Sequence, residues 1–401
     1  MYKIEKIENQ KLSGVCLSEG FYADGMSAGL KPNGDKDLAF IYSDVVCELA
    51  SVFTTNKMAA APIHHAKGVT QTNFIVINSK NANAMTGKYG IEDLEEIVSS
   101  LTQKFSTLHN PLMSSTGVIG VRLPKDKIIQ KASEFDLSVK NSLNASHAIM
   151  TTDAFNKEIA FKISLDNGDV FNIGGIAKGA GMINPAMATM LAFITTDAKI
   201  EQSKMQEILN DVNKMTFNAA SVDGDTSTND TVFLMSSAKS NVTIDSSNEK
   251  MFAHALNLVM DFMAKALVRD GEGATKLVTY KIRGAKDNIE AEKVAKTLSN
   301  SLLIKTALYG EDPNWGRLAM SIGASGVACD ETKLTISYDD VVLYEKGVNL
   351  FNDEIEVLAG NVMKQAEFDI TCDLGMGEGS FDAYGCDLGY KYVEINADYR
   401  T

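Results

Sequence analysis

Residues 174–196 read GGIAKGAGMINPAMATMLAFITT. Small residues crowd around Lys178, Pro185 turns the chain, and Ala186-Met187-Ala188-Thr189-Met190-Leu191 follows. From Gly179 to Thr196 there is no charged side chain, a run approaching the length of a membrane span. Gly181, Asn184, Pro185 and several threonines interrupt it, which disfavours a spanning helix. On composition alone the segment is a glycine-rich turn followed by a buried helix. Chemistry offers a sharper reading. A threonine hydroxyl can attack the carbonyl of the peptide bond before it, giving an N-to-O acyl shift and then hydrolysis. Small flanking residues let the backbone take the necessary distortion. The product chain begins at Thr189, and its α-amine has a reference pKa of about 7.7–8.0, suited to a general base near neutral pH. One residue then supplies nucleophile and base together.

Outward from this segment, strands and amphipathic helices alternate. Phe74-Ile75-Val76-Ile77 reads as a buried strand. Between Glu158 and Ile173, Asn167-Gly168 separates two alternating runs and predicts a hairpin, because that pair accepts positive φ. Asp339-Asp340 stands similarly between LTISY and VVLYE, and Tyr390, Tyr392 and Ile395 read as strand-like. Leu94, Ile97, Val98, Leu101 and Phe105 form one helical stripe; Met205, Ile208, Leu209 and Val212 form another. Asp287 is placed to N-cap a third stripe of Ala291, Val294, Ala295, Leu298 and Leu302. The elements interleave without a regular βα beat, which predicts an α+β class, a layered sandwich and not a doubly wound parallel sheet. A fold-domain boundary is expected near Gly284.

Composition narrows the function. The 401 residues are 45% hydrophobic and 22% charged, enough to bury a core without disulfide or metal staples. A net charge of -14 disfavours nucleic acid and anionic membranes as partners. Five cysteines with no C-x-x-C pair point to a reduced, cytoplasmic protein, and the charged start MYKIEKIENQ lacks the apolar core of a signal peptide. The five histidines (His64, His65, His109, His147, His254) show no metal-binding spacing. Asp223, Asp225 and Asp230 in SVDGDTSTND lack the spacing and terminal Glu of a calcium loop. Walker, dinucleotide-turn and G-x-S-x-G patterns are absent too.

Several long motifs, in one order, carry a resemblance. GFYADGMSAGLK (20–31), SVFTTNKMAAAP (51–62), STGVIG (115–120), IMTTDAF (149–155), KGAGMINPAMATML (178–191), DGDTSTND (223–230), GEDPNWGR (310–317) and CDLGYKYVEINADYRT (386–401) span the chain. The sequence resembles the ornithine acetyltransferase (glutamate N-acetyltransferase) family of arginine biosynthesis nearly end to end. The resemblance implies a self-processing fold of the N-terminal-nucleophile-like type. It implies acetyl transfer from N2-acetylornithine to glutamate by a ping-pong route through an acetyl-threonine. Some members of the family also take acetyl from acetyl-coenzyme A. It further implies scission between Ala188 and Thr189, giving an α chain of 1–188 and a β chain of 189–401, two of each assembling as a heterotetramer. Such chemistry requires neither metal nor cofactor.

Residue by residue, the resemblance makes Thr189 the nucleophile and Thr116 with Gly117 the oxyanion hole, a hydroxyl and a backbone N–H able to donate to the same developing charge. Lys178 matches a substrate-binding lysine, and a cation suits an amino-acid carboxylate. Thr151 matches a substrate-contacting threonine, with Thr152 the alternative one position on. Glu272 matches a binding glutamate, suited to ornithine's ammonium. Asn396 and Thr401 match a C-terminal pair closing over substrate. Lys80 stands where the family has glycine, and Met85 where cysteine is common. A lysine takes glycine's positive φ only at a cost, which implies a loop bent differently here. Two other readings are a self-processing aminopeptidase of similar fold, which would bind a peptide's amine, and a non-catalytic acidic binding protein.

Overall fold

Leu191–Thr196 is a strand and not the helix that composition alone implies. Leu191 and Phe193 enter one buried cluster, Ala192 and Ile194 another. Burial on both faces accounts for an unbroken apolar run, which periodicity cannot distinguish from a buried helix. The structure, a computed structural model, describes residues 2–7, 12–184 and 190–398.

Nine strands form the first sheet: β1 (Tyr2–Lys6), β2 (Phe21–Met26), β3 (Leu38–Phe53), β4 (Gln71–Asn78), β5 (Leu112–Ser115), β6 (Lys157–Leu165), β7 (Val170–Lys178), β8 (Leu191–Thr196) and β9 (Thr231–Ser236). Their order is β1-β6-β7-β8-β9-β3-β4-β5, with β2 beside β3 off that path. Pairs β8–β9 and β4–β5 are parallel, the rest antiparallel. The long strand β3 changes partners along its length: its first half pairs with β2, its second with β9. A second, six-stranded sheet holds β10 (Leu277–Ala285), β11 (Thr335–Tyr338), β12 (Val341–Glu345), β13 (Val348–Asn349), β14 (Glu367–Asp373) and β15 (Gly379–Cys386), in the order β13-β12-β11-β14-β10-β15. Gly284, near which a boundary is expected from sequence, is part of β10.

The helix Glu249–Arg269 touches β6 and β7 on one side and β10 and β15 on the other, making it an internal layer between the sheets. Phe252, Leu256, Val259 and Met263 share one cluster with Ile173 and Ile194 of the first sheet and Leu277 and Ile282 of the second. Among the described residues it alone is long and apolar enough to cross a membrane, and it is largely buried in the protein. Helix Ser142–Ile149 packs on the first sheet through Ala145, Ala148 and Ile149, and helix Lys88–Lys104 through Leu94, Ile97 and Leu101. The class is α+β, in layers.

Local signals act as expected at several points. Asn167-Gly168 closes β6 onto β7 with Gly168 at φ 89°, and Asp339 turns β11 into β12 at φ 45°. Asp287 caps the helix Asn288–Ser299 by accepting from the Glu290 N–H. Two expectations need correction. Leu302 does not extend that helix's stripe: Ser301 caps a new helix, Leu302–Tyr309, and Leu302 is exposed on it. Tyr390, Tyr392 and Ile395 lie in a helix, Tyr390–Asp398, and not a strand. All five cysteines are free thiols, Cys329 exposed and the others buried.

Candidate active site

Lys178, the last residue of β7, pairs with Leu191, the first of β8, so the connection between them is tied down at both ends. Met190 is held on β9, its N–H donating to Asp230 Oδ1 at 3.1 Å and its carbonyl accepting from the Thr231 N–H at 3.1 Å. Earlier in the connection, Gly179 N–H donates to Asp153 Oδ1 (2.7 Å), and Met182 and Ile183 N–H donate to the Asp223 carboxylate (2.6 and 2.8 Å). Ala188 and Thr189, the expected scission pair, and Thr401 lie outside the described residues.

Thr116 and Gly117 follow β5 in a turn braced by buried amides. Asn229 donates to the carbonyls of Ala82 (2.6 Å) and Ser115 (2.8 Å), and Asn78 donates to that of Asn81 (2.9 Å). Gly117 has φ 132°, and a Cβ there would lie 2.2 Å from the Lys80 carbonyl carbon, so only glycine fits. Its N–H donates to no acceptor among the described residues. Lys80 itself adopts φ 75°. The lysine thus takes the left-handed conformation that a glycine adopts freely, at a cost of about 1–2 kcal/mol. Its carbonyl accepts from the Val118 N–H at 3.1 Å, and the bonds on either side hold it there.

The Lys178 side chain is 2% exposed. Its ammonium donates to Thr151 Oγ1 at 2.6 Å and to Thr116 Oγ1 at 3.3 Å. Among the described residues the nearest carboxylate oxygen is Asp153 Oδ2, at 3.8 Å. Burial pushes Lys178 below the ordinary lysine range, opposed chiefly by Asp153 and, more weakly, by Glu272 and Asp230. Because Thr116 Oγ1 accepts from Lys178, its own hydroxyl proton is free to donate elsewhere.

Glu272 approaches from the other side. Its N–H donates to the Ala180 carbonyl (2.9 Å), and its carboxylate lies so close over Gly181 that a Cβ there would come within 2.6 Å. Asn396 Nδ2 donates to Glu272 Oε2 at 2.7 Å. Tyr392, one helical turn earlier, donates its hydroxyl to Asp223 Oδ2 at 3.3 Å, which explains why the terminal segment is helical: both contacts need one face of a helix. The structure thus brings Thr116, Gly117, Thr151 and Lys178 together, and joins Glu272 and Asn396 to them across residues 180 and 181. Among the described residues no cluster of three or more His, Cys, Asp or Glu is disposed to hold a metal ion.

A sequence profile described as the ArgJ family matches residues 22–401. The chain belongs to the ArgJ family. An arginine biosynthesis bifunctional protein ArgJ from Wolinella succinogenes is 55% identical over 97% of this chain and 98% of its own length. One from Bacillus thuringiensis is 42% identical over the full length of both. Among solved structures, ArgJ from Bacillus halodurans is 40% identical, with TM-score 0.48, over 51% of this chain and 97% of that one. An ornithine acetyltransferase from Mycobacterium tuberculosis, solved with ornithine, is 29% identical, with TM-score 0.41, over 48% of this chain and 100% of that one.

In this ArgJ-family chain the site includes residues to which sequence reasoning gave no role. Asp153 sits inside the IMTTDAF motif and Asn229 inside DGDTSTND, while Asp223 and Asp230 of that motif drew notice only as a calcium-like pattern without the right spacing. Lys157 and Asp270, which meet at 2.5 Å behind Lys178, are 113 positions apart and left no local signal.

Proposed function

We propose that this acyltransferase of arginine biosynthesis moves acetyl from N2-acetyl-L-ornithine to L-glutamate through an acetyl ester on Thr189. The observation that carries the reading is Lys178: a buried ammonium bound by two threonine hydroxyls, one of them beside the Gly117 N–H, which has no acceptor among the described residues. Such a cation suits a substrate carboxylate, while Thr116 and Gly117 supply two donors for an oxyanion. Scission between Ala188 and Thr189 leaves fragments 1–188 and 189–401. The Thr189 α-amine takes the hydroxyl proton as Oγ bonds to the acetyl carbon. The C–N bond to ornithine breaks, and that proton leaves with the amine. Glutamate's neutral amine then attacks the ester carbon, the bond to Thr189 Oγ breaks, and the amine's proton passes through the Thr189 α-amine to Oγ, restoring the hydroxyl as N-acetylglutamate leaves. Glu272, with Asn396 fixing its Oε2, receives ornithine's distal ammonium, and Thr401 closes the site. Two copies of each fragment assemble in the cytoplasm.

The test supplies purified protein and glutamate with each donor separately. N-acetylornithine is expected to yield N-acetylglutamate, and product from acetyl-coenzyme A as well marks a bifunctional enzyme. Thr189→Ala is expected to remain one full-length chain with no transfer from either donor. Normal turnover by that variant refutes the mechanism.

A further inference from the structure

Behind Lys178 four charges alternate in the interior: Lys178, Asp153, Lys157 and Asp270. Lys157, the first residue of β6, is fully buried, as is the Asp153 side chain. Its ammonium donates to Asp153 Oδ1 at 2.7 Å, Asp270 Oδ2 at 2.5 Å and the Phe155 carbonyl at 3.3 Å. Asp153 is then fully engaged, since Oδ1 also accepts from Gly179 N–H (2.7 Å) and Oδ2 from Thr151 N–H (2.9 Å). Asp270 accepts in turn from the Ala154 N–H, at 3.1 Å to each oxygen, and lies two residues before Glu272.

This arrangement poses a question of charge. A buried lysine beside a buried carboxylate ordinarily closes to a direct, hydrogen-bonded ion pair, because each charge is costly alone. Here Asp153 stops 3.8 Å short of Lys178, and Lys178 turns to two neutral hydroxyls instead. Asp153 is drawn the other way, by Lys157. Burial raises the Asp153 carboxyl, but Lys178 and Lys157 together outweigh it and hold it well below the usual carboxylate range. It stays an anion, yet one whose hydrogen bonds are taken elsewhere.

We infer that Lys157 is a positioning residue that diverts Asp153 from Lys178, so that the Lys178 ammonium is kept for the carboxylate of an amino-acid substrate. The inference rests on the reading of Lys178 as the substrate's carboxylate partner. Asp270 balances Lys157 and links the diverted charge to the Glu272 loop. The other carboxylates that act on Lys178, Glu272 and Asp230, offer it no hydrogen bond among the described residues, and Lys31, a further cation near it, repels it.

The test measures binding of L-ornithine by calorimetry, alongside acetyl transfer. In Lys157→Met with Asp270→Asn, net charge is unchanged and Asp153 is released to pair with Lys178. The dissociation constant is expected to rise roughly tenfold or more, the factor one charge-assisted hydrogen bond supports. Adding Asp153→Asn to that pair is expected to restore most of the affinity, an outcome that a purely structural role for Lys157 does not produce. Unchanged binding in the pair, or no recovery in the triple variant, overturns the inference. If circular dichroism shows the pair unfolded, Lys157→Arg and Lys157→Gln replace it: arginine keeps the affinity and glutamine weakens it, and equal affinity overturns the inference. Wild-type protein that binds no ornithine and transfers no acetyl refutes the functional reading instead.

Discussion

At Thr116 one oxygen meets two demands. It accepts from a buried ammonium 3.3 Å away, which leaves its own proton to be donated, next in the chain to the Gly117 N–H. The cation behind it makes the hydroxyl a stronger donor, as polarised chains of hydrogen bonds do. Thr116→Val keeps the shape and removes the donor. Its kcat is expected to fall about 100- to 1000-fold with little change in KM, because the lost bond forms only in the transition state. Steady-state rates with N-acetylornithine and glutamate check this; an unchanged kcat removes Thr116 from the proposed oxyanion hole. Gly117 was legible in sequence only through the STGVIG motif, because a lone Ser-Thr-Gly is otherwise a common loop. Its necessity became physical once the Lys80 carbonyl was found where a Cβ would stand. The reverse holds for Lys80, whose cost in the left-handed region was readable but whose accommodation was not, since the Val118 N–H that binds its carbonyl comes from across the turn.

Among the elements, the junction of β8 and β9 does most to present the connection after Lys178. Parallel pairing runs from Leu191↔Thr231 to Thr196↔Ser236, and Asp230 extends it by one residue onto Met190. The Asp230 carboxyl is fully buried, with Oδ2 lacking a hydrogen bond among the described residues. Burial pushes it well above the usual carboxylate range, against the pull of the Met190 N–H and Lys178. A raised folded-state pKa means the native protein holds a proton that the unfolded chain, with a pKa of about 3.9, gives up first. Stability from this group is thus complete below about pH 4 and declines as pH rises toward the folded-state pKa. Asp230→Asn keeps an acceptor for Met190 and removes the titration. Its melting temperature is expected to fall less than that of the wild type between about pH 4 and pH 7. Parallel losses in the two proteins contradict the assignment. Elements governed by local chemistry were readable from sequence: the Asn167-Gly168 hairpin and the Asp287 cap depend on neighbours in the chain. The terminal helix was not, because alternating Tyr390 and Tyr392 mimic a strand, while the contacts that fix the helix reach Asp223 and Glu272.

For the whole molecule, two layered sheets around the helix Glu249–Arg269 bring together residues from distant parts of the chain: 116 and 151, 178, 272 and 396. The α+β class followed from the mixture of hairpins and amphipathic stripes, but the division into a nine-stranded and a six-stranded sheet did not. Strand order depends on long-range pairings, such as β3 with β9, that no local pattern encodes. The charge string from Lys178 to Asp270 escaped for the same reason. The family match, running from residue 22 to 401, covers every candidate site residue, the proposed nucleophile Thr189 included. The central claim, a nucleophile made by cutting the chain, is tested most directly by intact-mass measurement of the protein after incubation with N-acetylornithine and no glutamate. Two polypeptides are expected, 1–188 and 189–401, with one acetyl group added to the second and lost again when glutamate is supplied. A single uncut chain that still transfers acetyl, or an acetyl group carried anywhere but Thr189, would contradict it.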